Sequence, residues 1–396
     1  MKFFYITAKI LILAATLSPA AEVRSWTDVK GRELEASLIK TEENMVSLKL
    51  TNGKEVYYPI EKLSVSDQAY IKKLQISIYD PTNVSTNKTD GLNFDAMWPE
   101  RISYSEDPEV NTIEENAEKK RFIYESENYR YTCDVRLSKS VVKGFAVMFE
   151  ATYLYCRKLP LALNGGKRNR EKNEIFLYEF FDNYVKAGGP PSSGGVFLSG
   201  TGIVAVPLTS LGVKSVGDGY MFDRDKSNNI LSHELAHQLT PDSYYSKGAL
   251  GWFTEGLAEY VALTSYRSGS YNTRNIQKNV VDFATGYGPD RKGGRNLGTE
   301  IYVHALKHFM LQDYESFSER ANLNYGCSLL FAYYFFHMDG DGDGKRIKTY
   351  LKALHDGKDG EKSLEILLDG RTFEELEQGI TKAWSRDGVD FVFGKS

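Results

Sequence analysis

Cysteine and histidine are scarce in this chain, at three and six of 396 residues. Cys133, Cys156 and Cys327 allow one disulfide at most, and their scatter excludes a disulfide-built scaffold and any zinc-knuckle spacing. They read as small buried hydrophobes. Charge of one sign is also lacking. With 49 Lys+Arg against 53 Asp+Glu, the net charge of −4 leaves no basic footprint for nucleic acid. Hydrophobic residues at 41% and charged residues at 26% exclude a disordered chain. The length permits two domains, at least one with a sizeable core.

Long apolar runs are missing except at the start, MKFFYITAKILILAATLSPAAEVRS. Lys2 and Lys9 precede the run Ile10 to Leu17, and Ser18-Pro19-Ala20 supplies small residues for cleavage. That run is too short to span a bilayer, and no cysteine follows it for lipid attachment. Residues 1–20 are therefore expected to be a signal peptide. The mature chain would be exported, periplasmic or extracellular, with no stable membrane anchor.

Residues 21–75 read as a small β-barrel. VSLKL and EVYYPI alternate apolar and polar positions around Thr51-Asn52-Gly53-Lys54, a hairpin signal in which Asn and Gly both accept positive φ. Ser66 stands as a cap before the short helix DQAYIKKL. The unit resembles the first Sla-homology domain, an Src-homology-3-like barrel. Arg24-Ser25-Trp26-Thr27-Asp28, Gly31-Arg32, Ala36 and Pro59-Ile60-Glu61-Lys62-Leu63-Ser64 carry the resemblance. In endocytic adaptors that domain binds short Asn-Pro-Phe peptides. One barrel serves many functions, so a spacer or docking module with a protein partner is the reading kept here.

Residues 76–120 show no periodicity and read as a largely irregular linker. The glycosylation-type triplets at Asn83 and Asn87 are given no role. Residues 121–396 are expected to form the large domain. YRYTCDV, EIFLYEF and GGVFLSGTGIVAVPL read as strands, SKSVVKGFAVMFEATYLYCRKL as a long helix, and nearly everything after 227 as helical. A small sheet followed by a helical half is an α+β plan.

Ser227-Asn228-Asn229 can cap a helix through ILSHELAHQL, which Pro241 stops. Leu231, Leu235 and Leu239 fall on one side of it, with His233 and His237 opposite. His233-Glu234-x-x-His237 is the arrangement in which both imidazoles reach one zinc and the intervening Glu sits beside it. Glu255, in Trp252-Phe253-Thr254-Glu255-Gly256-Leu257-Ala258-Glu259-Tyr260, has room to return on a second helix as third ligand. Two His and one Glu leave a fourth position open for water, the catalytic rather than the structural pattern. Glu259, one turn further, can accept a hydrogen bond from a ligand imidazole.

These two motifs resemble the gluzincin metallopeptidases, and most closely the peptidase-MA-like proteins. The resemblance spans roughly 121–360 and is sharp in 231–260. It implies a thermolysin-like catalytic domain, Zn²⁺ on His233, His237 and Glu255, Glu234 as general base, and a peptide or protein substrate. It further implies that Tyr325, in Asn324-Tyr325-Gly326-Cys327-Ser328, stabilises the oxyanion; a packing role for this tyrosine stays open. The strand GGVFLSGTGIVAVPL carries none of the acidic residues with which aminopeptidases hold a free amino terminus, so cleavage of internal bonds is favoured. The strand could pair with an extended peptide by edge addition. Two alternatives remain: an exported binding or adaptor protein with an inactive or structural zinc fold, and a zinc amidase acting on non-peptide or cell-wall amides.

Weaker signals read blandly. Asp339-Gly340-Asp341-Gly342-Asp343-Gly344 starts like a calcium loop but has Tyr350 where a bidentate Glu is required, so a solvated turn is expected. His304 and His308 are placed four apart on one helix with no acidic third ligand, and the basic run at 165–172 is read as a solvated loop.

Overall fold

The computed structural model describes residues 23–42, 45–64, 66–68, 92–104, 107–168, 170–224, 226, 229–286 and 293–394. The expected signal peptide, residues 76–91 with both glycosylation-type triplets, and the capping residues Ser227 and Asn228 lie outside the described residues. Contacts divide the chain into two compact units, 1–83 and 84–396.

In the first unit, strands β1 (Val23–Thr27), β2 (Glu33–Glu42), β3 (Met45–Leu50) and β4 (Glu55–Pro59) pair in sequence order, all antiparallel. A bridge between Asp28 and Leu63 brings the chain after β4 back to the end of β1. The interior is small: Trp26, Ala36, Val46, Leu48 and Leu63 are buried, and Trp26 Nε1 donates to the Ala36 carbonyl at 3.0 Å. Only Gly53 takes a positive φ in the hairpin, at 84°. The turn is thus a longer loop ending on glycine rather than the two-residue form. The cap of the following helical turn also differs from expectation. Ser64, not Ser66, accepts from the Asp67 amide at 3.2 Å, and buried Asp67 ties back to Arg24 and the Thr27 amide at 2.6 and 2.7 Å.

The second unit is α+β, with its strands early and its helices late. A six-stranded mixed sheet runs in the order β10-β11-β9-β8-β7-β6. Its members are β6 (Asn111–Asn116), β7 (Arg121–Glu125), β8 (Tyr129–Cys133), β9 (Asn173–Tyr178), β10 (Val196–Leu198) and β11 (Ile203–Pro207). The middle strands β8, β9 and β11 are parallel neighbours, whereas β10 is a short antiparallel edge. Helix α1 (Lys139–Lys158) covers the sheet with Val142, Phe145, Ala146 and Phe149. Its buried Glu150 accepts from Ser126, from the Asn128 amide and from Asn128 Nδ2 at 2.6–2.9 Å, which fixes the β7–β8 turn.

The linker expectation fails from residue 92 onward. β5 (Arg101–Ser103) pairs with the strand Ser270–Asn272 of a small sheet, and β6 forms an edge of the main sheet. Trp98 Nε1 donates to the Asp343 carbonyl at 3.0 Å. These strands escape sequence reading for a physical reason. As edges they bury almost nothing (even Ile113 is 52% exposed), so no apolar alternation marks them.

The helical half centres on α2 (Asn229–Leu239), α3 (Trp252–Leu263) and α6 (Ala321–His337), with α4 (Ile276–Thr285) and α5 (Tyr314–Glu319) beside them. Every residue of α3 is buried. Gly256 lets α3 and α6 meet, because a Cβ there would lie 2.3 Å from the Ser328 carbonyl oxygen.

Three further expectations are corrected here. His304 and His308 do not share a helix: Glu300–Val303 is a strand paired with Asp390–Phe393, and the helix starts at Leu306. The alternation of buried Ile301 and Val303 with exposed Tyr302 explains why that stretch is extended. The Asp339–Gly344 turn is not solvated at its first residue, since Asp339 is buried and accepts from Arg346 and Arg371 at 3.0 and 2.8 Å. Nor is the basic loop wholly solvated: Arg168 is bound to Asp242 at 2.7 Å. The three cysteines are free and buried, and burial pushes each thiol well up from its ordinary pKa.

Candidate metal centre

Helix α2 is built to hold two imidazoles against a core. Leu231, Leu235 and Leu239 are buried against the surrounding clusters, which fixes the rotation of the helix and leaves His233 and His237 together on its other side. Glu255 reaches them from the first turn of α3, whose entry bends at Gly251 with φ 83°. Burial of the whole of α3 makes that position rigid.

His233 Nε2, His237 Nε2 and Glu255 Oε2 form a near-equilateral triangle. Its edges are 3.1 Å between the imidazoles, 3.1 Å from His237 to Glu255 and 3.3 Å from His233 to Glu255. Four ligands each ~2.0–2.1 Å from a tetrahedral ion stand about 3.3–3.4 Å from one another. The donor set therefore fits one divalent cation, and it is the one His/Cys/Asp/Glu cluster of this kind among the described residues. His233 is the least covered of the three side chains, at 15% against 9% and 5%, so the triangle opens on its side.

The local charges reinforce one another. Burial works against a charge on His233, but its hydrogen bond to Glu255 and the charges of Glu259, Glu234 and Glu255 outweigh it and push the imidazole up to about 9. Burial likewise opposes charge on Glu255, yet His237 and His233 hold that carboxyl well below the usual range. Glu234 goes the other way. Its burial raises the carboxyl pKa against the pull of both imidazoles and of a backbone hydrogen bond. That bond comes from the Phe197 amide on edge strand β10, at 2.7 Å from Glu234 Oε2.

The other expected residues are placed as follows. Tyr325 lies on α6, four residues into the helix rather than at its start, with its ring centroid 6.2 Å from that of His233. Burial and the Glu255 charge raise its phenol, and the Arg295 guanidinium stands 4.7 Å over its ring. Glu259, expected on a ligand imidazole, accepts instead from Arg295 Nη2. It sits one turn deeper than Glu255, where Arg295 reaches it and its charge still acts on His233.

Four groups at the site carried no sequence signal. The Tyr245 hydroxyl lies 3.4 Å from His237 Nδ1 and donates to the His237 carbonyl at 2.9 Å. The Tyr314 hydroxyl lies 3.3 Å from Glu255 Oε1. Arg295 bridges Glu259 and Tyr325. The Phe197 ring stacks near His237, with centroids 6.3 Å apart. None belongs to a spaced motif, and two tyrosines among 26 attract no notice.

Comparison with known proteins bears on the other unit. Residues 15–77 match the model of SLA1 homology domain 1, SHD1. The N-terminal unit is similar to that domain. No curated protein matches the chain. The SHD1 match ends before any residue of the donor triangle, which is built wholly from the unit 84–396.

Proposed function

We propose that the chain is an exported zinc metallopeptidase of the gluzincin type, with a thermolysin-like catalytic unit that hydrolyses internal peptide bonds. The observation that carries this reading is the donor triangle of His233, His237 and Glu255 with the Glu234 carboxylate beside it. His233, His237 and Glu255 would hold the zinc. When bound, zinc lowers the pKa of its water to about 7 and polarises a carbonyl. Glu234 takes the water proton on its carboxylate and returns it to the leaving amine. Its burial raises the carboxyl's hold on that proton relative to an exposed carboxylate. The Phe197 amide holds one oxygen of that carboxylate by a hydrogen bond. Tyr325, whose phenol keeps its proton, donates to the carbonyl oxygen as charge gathers there. The SHD1 unit serves location or capture of a large target through a protein partner.

Glu234→Gln keeps the shape and all three ligands. Zinc should remain bound while turnover of an unstructured peptide falls about 10²–10⁴-fold. Wild-type turnover in that variant would remove Glu234 from the chemistry and leave a binding protein as the better reading.

A further inference from the structure

The second oxygen of Glu255 has a partner of its own. Oε2 belongs to the donor triangle, whereas Oε1 faces the Tyr314 hydroxyl at 3.3 Å. Glu255 is 4% exposed, so an unbonded Oε1 would be a desolvated carboxylate oxygen, free to swing into the triangle as a second ligand atom. A phenol is a donor with a single proton. A carboxylate oxygen can only accept, so the Tyr314 proton is the one given to Oε1. With no substrate bound, the Tyr314 oxygen is then left to accept from the Tyr325 hydroxyl, 3.4 Å away. A directed chain results, from Tyr325 to Tyr314 to Glu255.

The six-residue helix that carries Tyr314 is held rigidly enough to aim it. Asp313 caps it by accepting from the Ser316 amide at 2.8 Å. The Tyr314 ring stacks on Phe317 at 6.0 Å, and Phe317 is fully buried. Phe317 also lies against Gly251, where a Cβ would come within 2.8 Å of its ring. Gly251 is the residue at which α3 starts, four positions before Glu255. Phe317 meets the Tyr325 ring edge-on at 5.4 Å as well. The phenol and the carboxylate it meets are thus fixed to one another through a packed ring.

We infer that Tyr314 is a positioning residue of the metal centre: its hydroxyl holds Glu255 Oε1 so that the carboxylate offers Oε2 alone. This rests on the metal reading of the triangle. Removing a group that orients a ligand in this way lowers metal affinity about 10–100-fold.

The test is zinc affinity of the full chain, read by competition with a chromophoric chelator, for wild type, Tyr314→Phe, Tyr325→Phe and Tyr302→Phe. Tyr314→Phe keeps the ring and its stacking, so the metal-free chain should still fold cooperatively, while zinc affinity should fall about 10–100-fold. Tyr325→Phe and the exposed control Tyr302→Phe should bind zinc as wild type does. Wild-type affinity in Tyr314→Phe overturns the inference alone. An equal loss in Tyr302→Phe also overturns it. A wild-type chain that takes up no zinc overturns the metal reading itself, and the inference with it.

Discussion

Burial holds the His337 imidazole down at a pKa of about 4. The Tyr260 hydroxyl lies 2.9 Å from its Nε2, and Trp98, Tyr333 and Phe336 pack around the ring. In the unfolded chain the same group titrates near its ordinary 6.5. The unfolded state therefore binds the extra proton between those values. The stability that neutral His337 contributes is present above pH 6.5, is lost as pH falls toward 4, and amounts to about 3 kcal/mol at most. Denaturant titrations from pH 7.5 to 4.5 should show wild type losing more stability than His337→Gln. Parallel curves for the two proteins would mean that this histidine is not desolvated. At this scale the meeting of His233 and His237 was legible in the sequence, because i, i+4 spacing on a helix determines which imidazoles meet. Tyr245, Tyr314 and Arg295 were not, since each arrives from a separate segment whose path only packing determines.

The α3–α6 contact is the element-scale counterpart. Gly256 stands one residue after Glu255 and faces backbone rather than a yielding side chain, with the Ser328 carbonyl oxygen 2.3 Å from where its Cβ would be. Gly256→Ala must push the helices apart, and overpacking of this kind costs roughly 1–3 kcal/mol. The denaturant midpoint should fall by the corresponding amount with an unchanged slope. A neutral effect would mean that the two helices slide freely. The run Trp252–Leu263 was readable as a helix bearing Glu255 and Glu259, but its complete burial was not. Nothing in its own pattern reveals that α6, an aromatic-rich helix of mixed faces, lies over it. The edge strands β5 and β6 were missed for the opposite reason: their side chains are mostly outside, and their partners lie far away in sequence or depend on the sheet being formed.

At the scale of the whole molecule the boundary of the large unit moves toward the amino terminus. A chain starting at Val84 retains β5, β6 and Trp98; one starting at Arg121 loses all three and leaves β7 as a bare edge, with Phe122 and Tyr124 beside it. The fragment 84–396 should unfold cooperatively and stay soluble, whereas 121–396 should aggregate or melt well below it. Equal stability of the two would return residues 92–120 to the status of linker. The N-terminal unit has its own interior around Trp26, and none of its described residues belongs to the donor triangle, so the longer fragment should also keep that triangle.

Metal content of the full chain tests the central claim most directly. After purification under zinc-replete conditions, elemental analysis should give one zinc per wild-type chain, the same in Glu234→Gln, and almost none in His233→Ala or Glu255→Ala. A wild-type chain without zinc, or a Glu255→Ala chain that keeps it in full, would contradict a catalytic metal held by these three residues.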